Sequence, residues 1–287
     1  MLVIAGFVVV ILSVVGGYLL SHGQLLALWQ PFELLIIGGA ALGAFVAGNP
    51  MKVVKGAARG IPGLLKGPKY TRDDYLEILS MVYDLLQKIR REGFIGIESD
   101  IEQPGSSALF ARYPRLAADH HLMEFVTDCL RLMVGGGLAP HELEQLLEVE
   151  LETHHAEAAE PAHAVQTLAD SLPGFGIVAA VLGIVITMGM LGGETSAIGA
   201  HVAAALVGTF LGILLGYGFV GPLASALAHR AHEEGKAFEI IKMALVCNLR
   251  GYAPQVAIEF ARKLLFSDVR PSFTDLDVRL RARKAAG

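Results

Sequence analysis

SLPGFGIVAAVLGIVITMGML (171–191) and GAHVAAALVGTFLGILLGYGFVGPLA (199–224), separated only by GGETSAI (192–198), decide the fold. Each run is long enough, at about 20 residues, to cross a hydrocarbon core as a helix. Neither carries Asp, Glu, Lys or Arg between 173 and 191 or between 202 and 223. The second run holds Gly208, Gly212 and Gly216 at four-residue spacing, a smooth stripe against which another backbone packs closely in lipid. Thr209 and Tyr217 remain as polar groups inside it and need a partner or a watery path, because lipid offers none. Pro173 stands at the start of the first run and Pro222 near the end of the second. They read either as two hinges at one membrane face or as punctuation of helix ends.

Working outward, 53% of the 287 residues are hydrophobic and 18% are charged, a balance that specifies a membrane protein. A net charge of −5 gives no footprint for nucleic acid. Cys129 and Cys247 lie too far apart for metal-type or redox-type spacing and read as buried thiols. Residues 2–20 are too long for a signal-peptide core, have no basic lead and no cleavage pattern, and read as a retained transmembrane helix. A second span runs from Glu33 to about Val46, with Trp29 and Phe32 as interfacial anchors before it.

The basic residues orient these spans. Lys52, Lys55, Arg59, Lys66, Lys69 and Arg72 all follow the second span, Arg230 and Lys236 follow the fourth, and residues 21–32 contain none. The excess of Lys and Arg stays in the cytoplasm, which puts both termini and the long middle region there.

That middle region is helical by pattern. In TRDDYLEILSMVYDLLQKIRREG (71–93), Thr71 and Asp74 form a capping-box signature, Leu76, Leu79, Val82, Leu86 and Ile89 make one apolar stripe, and Gly93 is a stop. A second helix is expected over 117–134. A third starts at Pro140 and runs, interrupted at Pro161, towards the third span. Two more helices are expected after the fourth span, one within 228–254 and one over 255–266, with a solvated basic tail over 279–284. The predicted organisation is 1–50 as transmembrane helices 1 and 2, 51–170 as a cytoplasmic helical domain, 171–226 as transmembrane helices 3 and 4, and 227–287 as cytoplasmic helices and tail. The fold class is an all-α membrane protein.

Glu150 and His154 lie four apart, with His155 and His163 following, but a solvated acidic helix accounts for them and no metal is assigned. No phosphate-binding glycine loop and no nucleophile elbow occurs, so neither an ATPase nor a serine hydrolase is indicated and no cofactor is expected. Lys88, Arg90, Arg91, Glu92, Glu98 and Asp100 surround a helix end. They read as a solvated surface or as an exposed patch of both signs that meets a partner.

MLVIAGFVVVILSVVGGYLL (1–20), KYTRDDYLEIL (69–79), IESDIEQP (97–104), SLPGFGIVAAVLG (171–183), GTFLGILLGYGFVGPLA (208–224) and GYAPQVAIEFARKLLFSDVRPSF (251–273) together resemble the flagellar motor stator proteins of the MotA family, within the MotA/TolQ/ExbB proton channels. The resemblance implies four transmembrane helices, a cytoplasmic torque-bearing region, a homopentamer around a MotB dimer in the bacterial inner membrane, and no enzyme activity. It implies that MotB supplies the ion-binding aspartate, in keeping with the lack of any carboxylate in the last two spans. It places the family's functional prolines on Pro173 and Pro222. It places the charges facing the rotor protein FliG on Arg90 and Glu98, and the threonine near the MotB carboxylate on Thr209. Ala180 stands where sodium-driven relatives carry threonine, and a methyl group cannot ligate sodium, so protons are expected. An ExbB/TolQ-type energy-transducing channel resembles the chain less, having three spans. A secondary transporter would need inverted repeats and broken midplane helices, which the sequence lacks.

The topology is testable by cysteine accessibility in intact cells. Positions near Gly105 and Gly287 are expected to be shielded, and positions near Gln24 and Glu194 to be labelled from outside; surface labelling at 105 overturns the assignment.

Overall fold

The computed structural model describes residues 2–137, 139–190 and 195–286; Glu194 and Gly287, named in the topology above, lie outside them. Among the described residues the regular structure is helical. In chain order the helices are α1 (Leu2–Leu20), α2 (Leu25–Leu28), α3 (Pro31–Gly48), α4 (Met51–Gly63), α5 (Arg72–Glu92), α6 (Glu98–Glu102) and α7 (Pro114–Ala117). These are followed by α8 (His120–Gly135), α9 (Pro140–Met188), α10 (Thr195–Ile213), α11 (Gly221–Leu249), α12 (Pro254–Lys263) and α13 (Phe273–Ala286). A π-helical segment, Leu214–Val220, lies directly between α10 and α11. Four helical stretches are long and apolar enough to cross a membrane: Leu2–Leu20, Leu25–Gly48, and parts of Pro140–Met188 and Ile198–Leu249.

The chain divides into two units. The first comprises Met1–Gly67 and Glu157–Arg230. Its helices pack through small side chains: Ile37 and Ala41 of α3 meet Leu172 and Ala179 of α9, and Ala57 of α4 joins Ala162, Val165, Ala224 and Leu227. Helix α1 buries no residue in this single chain and touches the π segment through Phe7 and Phe219, ring centroids 5.0 Å apart.

The second unit comprises Pro68–Ala156 and Ala231–Gly287, and is built around one large apolar core. Thr71 and Asp74 close a reciprocal capping box on α5, whose stripe Ile78, Leu79, Val82, Leu85, Leu86 and Ile89 is buried, and Gly93 ends the helix at φ 73°. The same Asp74 accepts from Arg115 at 2.8 Å. Both cysteines are buried and free, and burial pushes the Cys129 thiol up, away from reactivity.

Four expectations are corrected. The helix expected from 117 starts at His120, because Asp119 accepts from the Leu122 amide and caps it there. Pro161 does not interrupt α9, and Pro173 also lies inside it; the Pro161 ring fits against Gly56, where a methyl group would come within 2.9 Å. No separate helix starts after the fourth span, since α11 runs unbroken to Leu249. The tail is corrected in structure alone: it is part of α13, which buries Leu276 and Leu280 and pairs Asp275 with Arg72 at 2.5 Å, while Arg279 and Arg281 are solvent-exposed as expected.

Lys88 and Asp100 also leave the exposed patch. Asp100 is buried and accepts from Lys88 Nζ at 2.7 Å and Ser107 Oγ at 2.6 Å, while Ser107 Oγ accepts from the amides of Leu109 and Phe110. This network fastens the turn after α5 to the segment ahead of α7. Removing the carboxylate strands a mostly buried ammonium and a hydroxyl. Asp100→Ala should therefore cost roughly 2–3 kcal/mol, less than for a fully buried pair because Lys88 is partly exposed. In the purified protein the unfolding midpoint should fall, and amide exchange should rise first over 97–110; an unchanged midpoint refutes the structural role.

Candidate functional site

The seam between α9 and α10 is made by absence of side chains. A methyl group on Gly212 would lie 2.6 Å from the Leu172 carbonyl oxygen and 2.8 Å from Gly176 Cα. One on Gly216 would lie 2.6 Å from the Ala169 carbonyl oxygen and 3.1 Å from Pro173 Cδ, and one on Gly183 2.8 Å from Ala205 Cβ. The neighbours at Gly212 and Gly216 include backbone oxygen, which cannot swing away as a side chain can. Only glycine fits these two crossings.

Gly216 and Pro173 belong to one device. Proline has no N–H, so Pro173 leaves the carbonyl of Ala169, four residues earlier, without its helical donor. That oxygen faces Gly216, whose Cα hydrogens are the donors within reach across the seam. Gly216 sits in the π segment, where the Gly221 amide donates to the Gly216 carbonyl, five residues back instead of four. The shifted ladder ends at Pro222, which cannot donate at all. The prolines therefore sit in continuous helical segments, and the departure from α geometry is the π segment between them.

The structure brings together some of the residues singled out in the sequence and leaves others apart. Pro173, Ala180 and Thr209 lie along the seam: the Ala180 amide nitrogen is 3.5 Å from the methyl position of Gly208, and Thr209 Cα is 3.3 Å from that of Gly176. Tyr217 is 63% exposed and outside the seam, and Pro222 is also exposed. One seam residue was missed. Glu33, read above only as the start of the second span, lays its side chain on Gly208, Cγ 3.4 Å from the methyl position, with Oε2 buried and no hydrogen-bond partner among the described residues. The signal for it is a lone carboxylate at the edge of an apolar run.

The second candidate lies in the other unit. Arg90 and Arg91 occupy the last turn of α5, where basic residues suit the helix dipole; Phe94–Ile97 form a 3-10 turn, and Glu98 opens α6. Arg90, Arg91, Glu92 and Glu98 are exposed and make no ion pair among the described residues, while buried Ile97 and the Lys88–Asp100 pair hold the turn beneath them. Beside Arg90 a cavity of about 350 Å³ is lined by Phe94, Asn248, Tyr252 and Pro254. The histidines considered for a metal have structural company instead: the His154 ring lies 4.3 Å from Phe238, and His155 Nε2 lies 3.8 Å from Glu239.

Comparison with known proteins covers both units. Residues 4–93 match the model for the motility protein A N-terminal region, and residues 117–240 that for the MotA/TolQ/ExbB proton channel family. Motility protein A of Salmonella typhimurium is 46% identical over 282 residues, covering 98% of this chain and 96% of the relative. The solved structure of C. jejuni MotAB superposes with a TM-score of 0.75 at 21% identity, covering 94% of this chain and 98% of that one. The MotAB stator complex of Bacillus subtilis gives 0.67 at 24%, covering 96% and 98%. Those two likenesses support the all-helical fold, and the near-full-length identity does more: this chain belongs to the motility protein A family, multi-pass membrane proteins among the MotA/TolQ/ExbB proton channels.

Proposed function

We propose that this chain, a stator subunit of the flagellar motor and not an enzyme, assembles as a homopentamer around a MotB dimer in the bacterial inner membrane and couples proton entry to torque on the rotor protein FliG. The observation that carries this reading is the 46% identity to motility protein A along nearly the whole length of both chains. The match of residues 4–93 to the motility protein A model, which takes in the first two spans, speaks against an ExbB/TolQ-type role. In this reading 51–170 is the torque-bearing region, 171–226 lines the ion path, and both termini are cytoplasmic.

Pro173, Ala180, Thr209, Tyr217 and Pro222 are assigned to the ion path and its coupling, and Arg90 and Glu98 to the rotor contact. The third and fourth spans hold no carboxylate between 173 and 191 or between 202 and 223, in keeping with the resemblance, which takes the aspartate beside Thr209 from MotB. Ala180 offers no oxygen from its side chain, which favours protons over sodium. Motility of a deletion strain complemented with this chain should persist when potassium replaces sodium and collapse with a protonophore. Strict sodium dependence refutes the proton assignment.

Arg90 and Glu98 are exposed, so each single neutralisation should cost little, since exposed pairs are worth roughly 0–1 kcal/mol. Arg90→Glu combined with Glu98→Lys should impair torque strongly while leaving insertion and MotB binding intact, and compensating reversals on the rotor should recover part of the swimming. Normal swimming with both reversals returns these charges to the solvated surface.

Pro173→Ala supplies a new N–H to the Ala169 carbonyl, which then has a helical donor in place of its contact with Gly216. The membrane potential provides about 2.3 kcal/mol per charge per 100 mV, enough to bias a conformational equilibrium and too little to override a stiffened joint of similar energy. Pro173→Ala and Pro222→Ala should each assemble with MotB at near-normal levels and give little rotation. Gly216→Ala, which forces a methyl group against backbone, should lose assembly itself. Wild-type torque in tethered cells carrying either proline variant, at matched stator number, shows that the prolines only mark helix ends.

A further inference from the structure

Glu33 is the one Asp, Glu, Lys or Arg within the four apolar stretches 2–20, 31–48, 171–191 and 198–223. It stands in the first turn of α3, next to the connection 21–32 that carries no Lys or Arg. A carboxylate at such a place can turn towards headgroups and water, as long polar side chains near span ends do. Glu33 is half-buried and turns one oxygen inward instead. Its Cγ packs 3.4 Å from the methyl position of Gly208, the same position that lies 3.5 Å from the Ala180 amide nitrogen, and Gly208 precedes Thr209 directly. Its Oε2 is closed off from solvent without a hydrogen-bond partner among the described residues. Gly208 has no side chain, and the Glu33 stem lies over its bare face.

An ionised carboxylate only accepts hydrogen bonds, whereas one that has bound a proton also carries a donor it can pass on. A carboxylate on the side away from the basic segments, packed against the residue that precedes Thr209, is placed to receive a proton there and release it inward. We infer that Glu33 is a second proton-binding group of the ion path, which takes a proton from hydronium on the extracytoplasmic side and passes it, as the neutral acid returning to the carboxylate, to the partner's aspartate beside Thr209. The inference rests on the channel reading above, and the connection from Ser21 to Phe32 is the entry side for the ion.

The test uses the full chain co-expressed with MotB, with proton influx read from cytoplasmic pH after an external acid pulse and assembly read by co-purification. Glu33→Gln keeps shape and removes the proton-binding group. It should lower influx at least about tenfold, the low side of what a positioned proton-transfer group contributes because water offers a bypass, with MotB co-purification unchanged. Glu33→Asp, which keeps a carboxylate on a shorter stem, should give intermediate influx. Wild-type influx in Glu33→Gln, with normal assembly, overturns the inference and leaves Glu33 a packing residue. Where Glu33→Gln fails to assemble, reaction of the wild-type complex with dicyclohexylcarbodiimide decides. That reagent modifies protonated carboxyl groups in apolar surroundings, so peptide mapping should find Glu33 labelled and influx blocked, and an unlabelled Glu33 overturns the inference. Failure of the channel reading itself gives a different result, no influx from the wild-type complex at all.

Discussion

Backbone meets backbone where α9 crosses α10, and the rest of the membrane-spanning unit depends on that contact. In lipid, apolar side chains gain nothing by leaving a medium as apolar as themselves, so association has to come from close fit and from polar groups finding partners. Gly208, Gly212 and Gly216 supply the fit by presenting no side chains to Ala179, Gly176 and Ala169. Two further features follow from the same closeness. The carbonyl that Pro173 leaves without a donor is covered by the Gly216 face, and the gap over Gly208 admits the Glu33 side chain. A single stripe of missing side chains thus sets helix spacing, covers the Ala169 carbonyl and gives the Glu33 stem a bare face to lie on.

In the second unit a mixed run of charge is divided between two places. Lys88 and Asp100 turn inward and form a network with Ser107, and Arg90 and Glu98 stay outward on the turn that this network fixes. Burial gives the inner pair its rigidity, and exposure gives the outer pair its availability. Cap residues do the remaining positioning: Asp74 closes α5 and binds Arg115, and Asp119 both starts α8 and pairs with Lys69 at 2.8 Å.

How much of this could be read from the chain depended on the range of the interaction. The four spans and the capping box of α5 were legible, because apolar length and a three-residue spacing are local properties. The continuity of α9 was not. A proline rule applied locally predicts an interruption at Pro161, while the helix persists because the Pro161 ring nests against Gly56, far away in sequence. Lys88 and Asp100 sit among exposed charges in the sequence, and only the 3-10 turn from Phe94 to Ile97 brings them together. Glu33 looked like a span boundary since charge usually is one; its partner surface, Gly208, lies 175 positions downstream, from 208 − 33. The residues proposed for the ion path were accessible through family resemblance alone, for nothing in an alanine or a threonine announces an ion.

The π segment has a meaning that composition cannot express. A helix is a counter as well as a rod: each residue advances the facing direction by about 100°, so a hydrogen bond closed five residues back instead of four behaves as one extra count in the tally. Past Val220, the faces that Ala224 and Leu227 turn towards Ala57, Ala162 and Val165 are therefore set by how many residues the chain spends between Gly216 and Gly221. Over LLGYGFV, Gly216 apart, the chain is more sensitive to its length than to its letters. A substitution at the other positions changes one side chain, whereas an added or missing residue re-aims the first turns of α11.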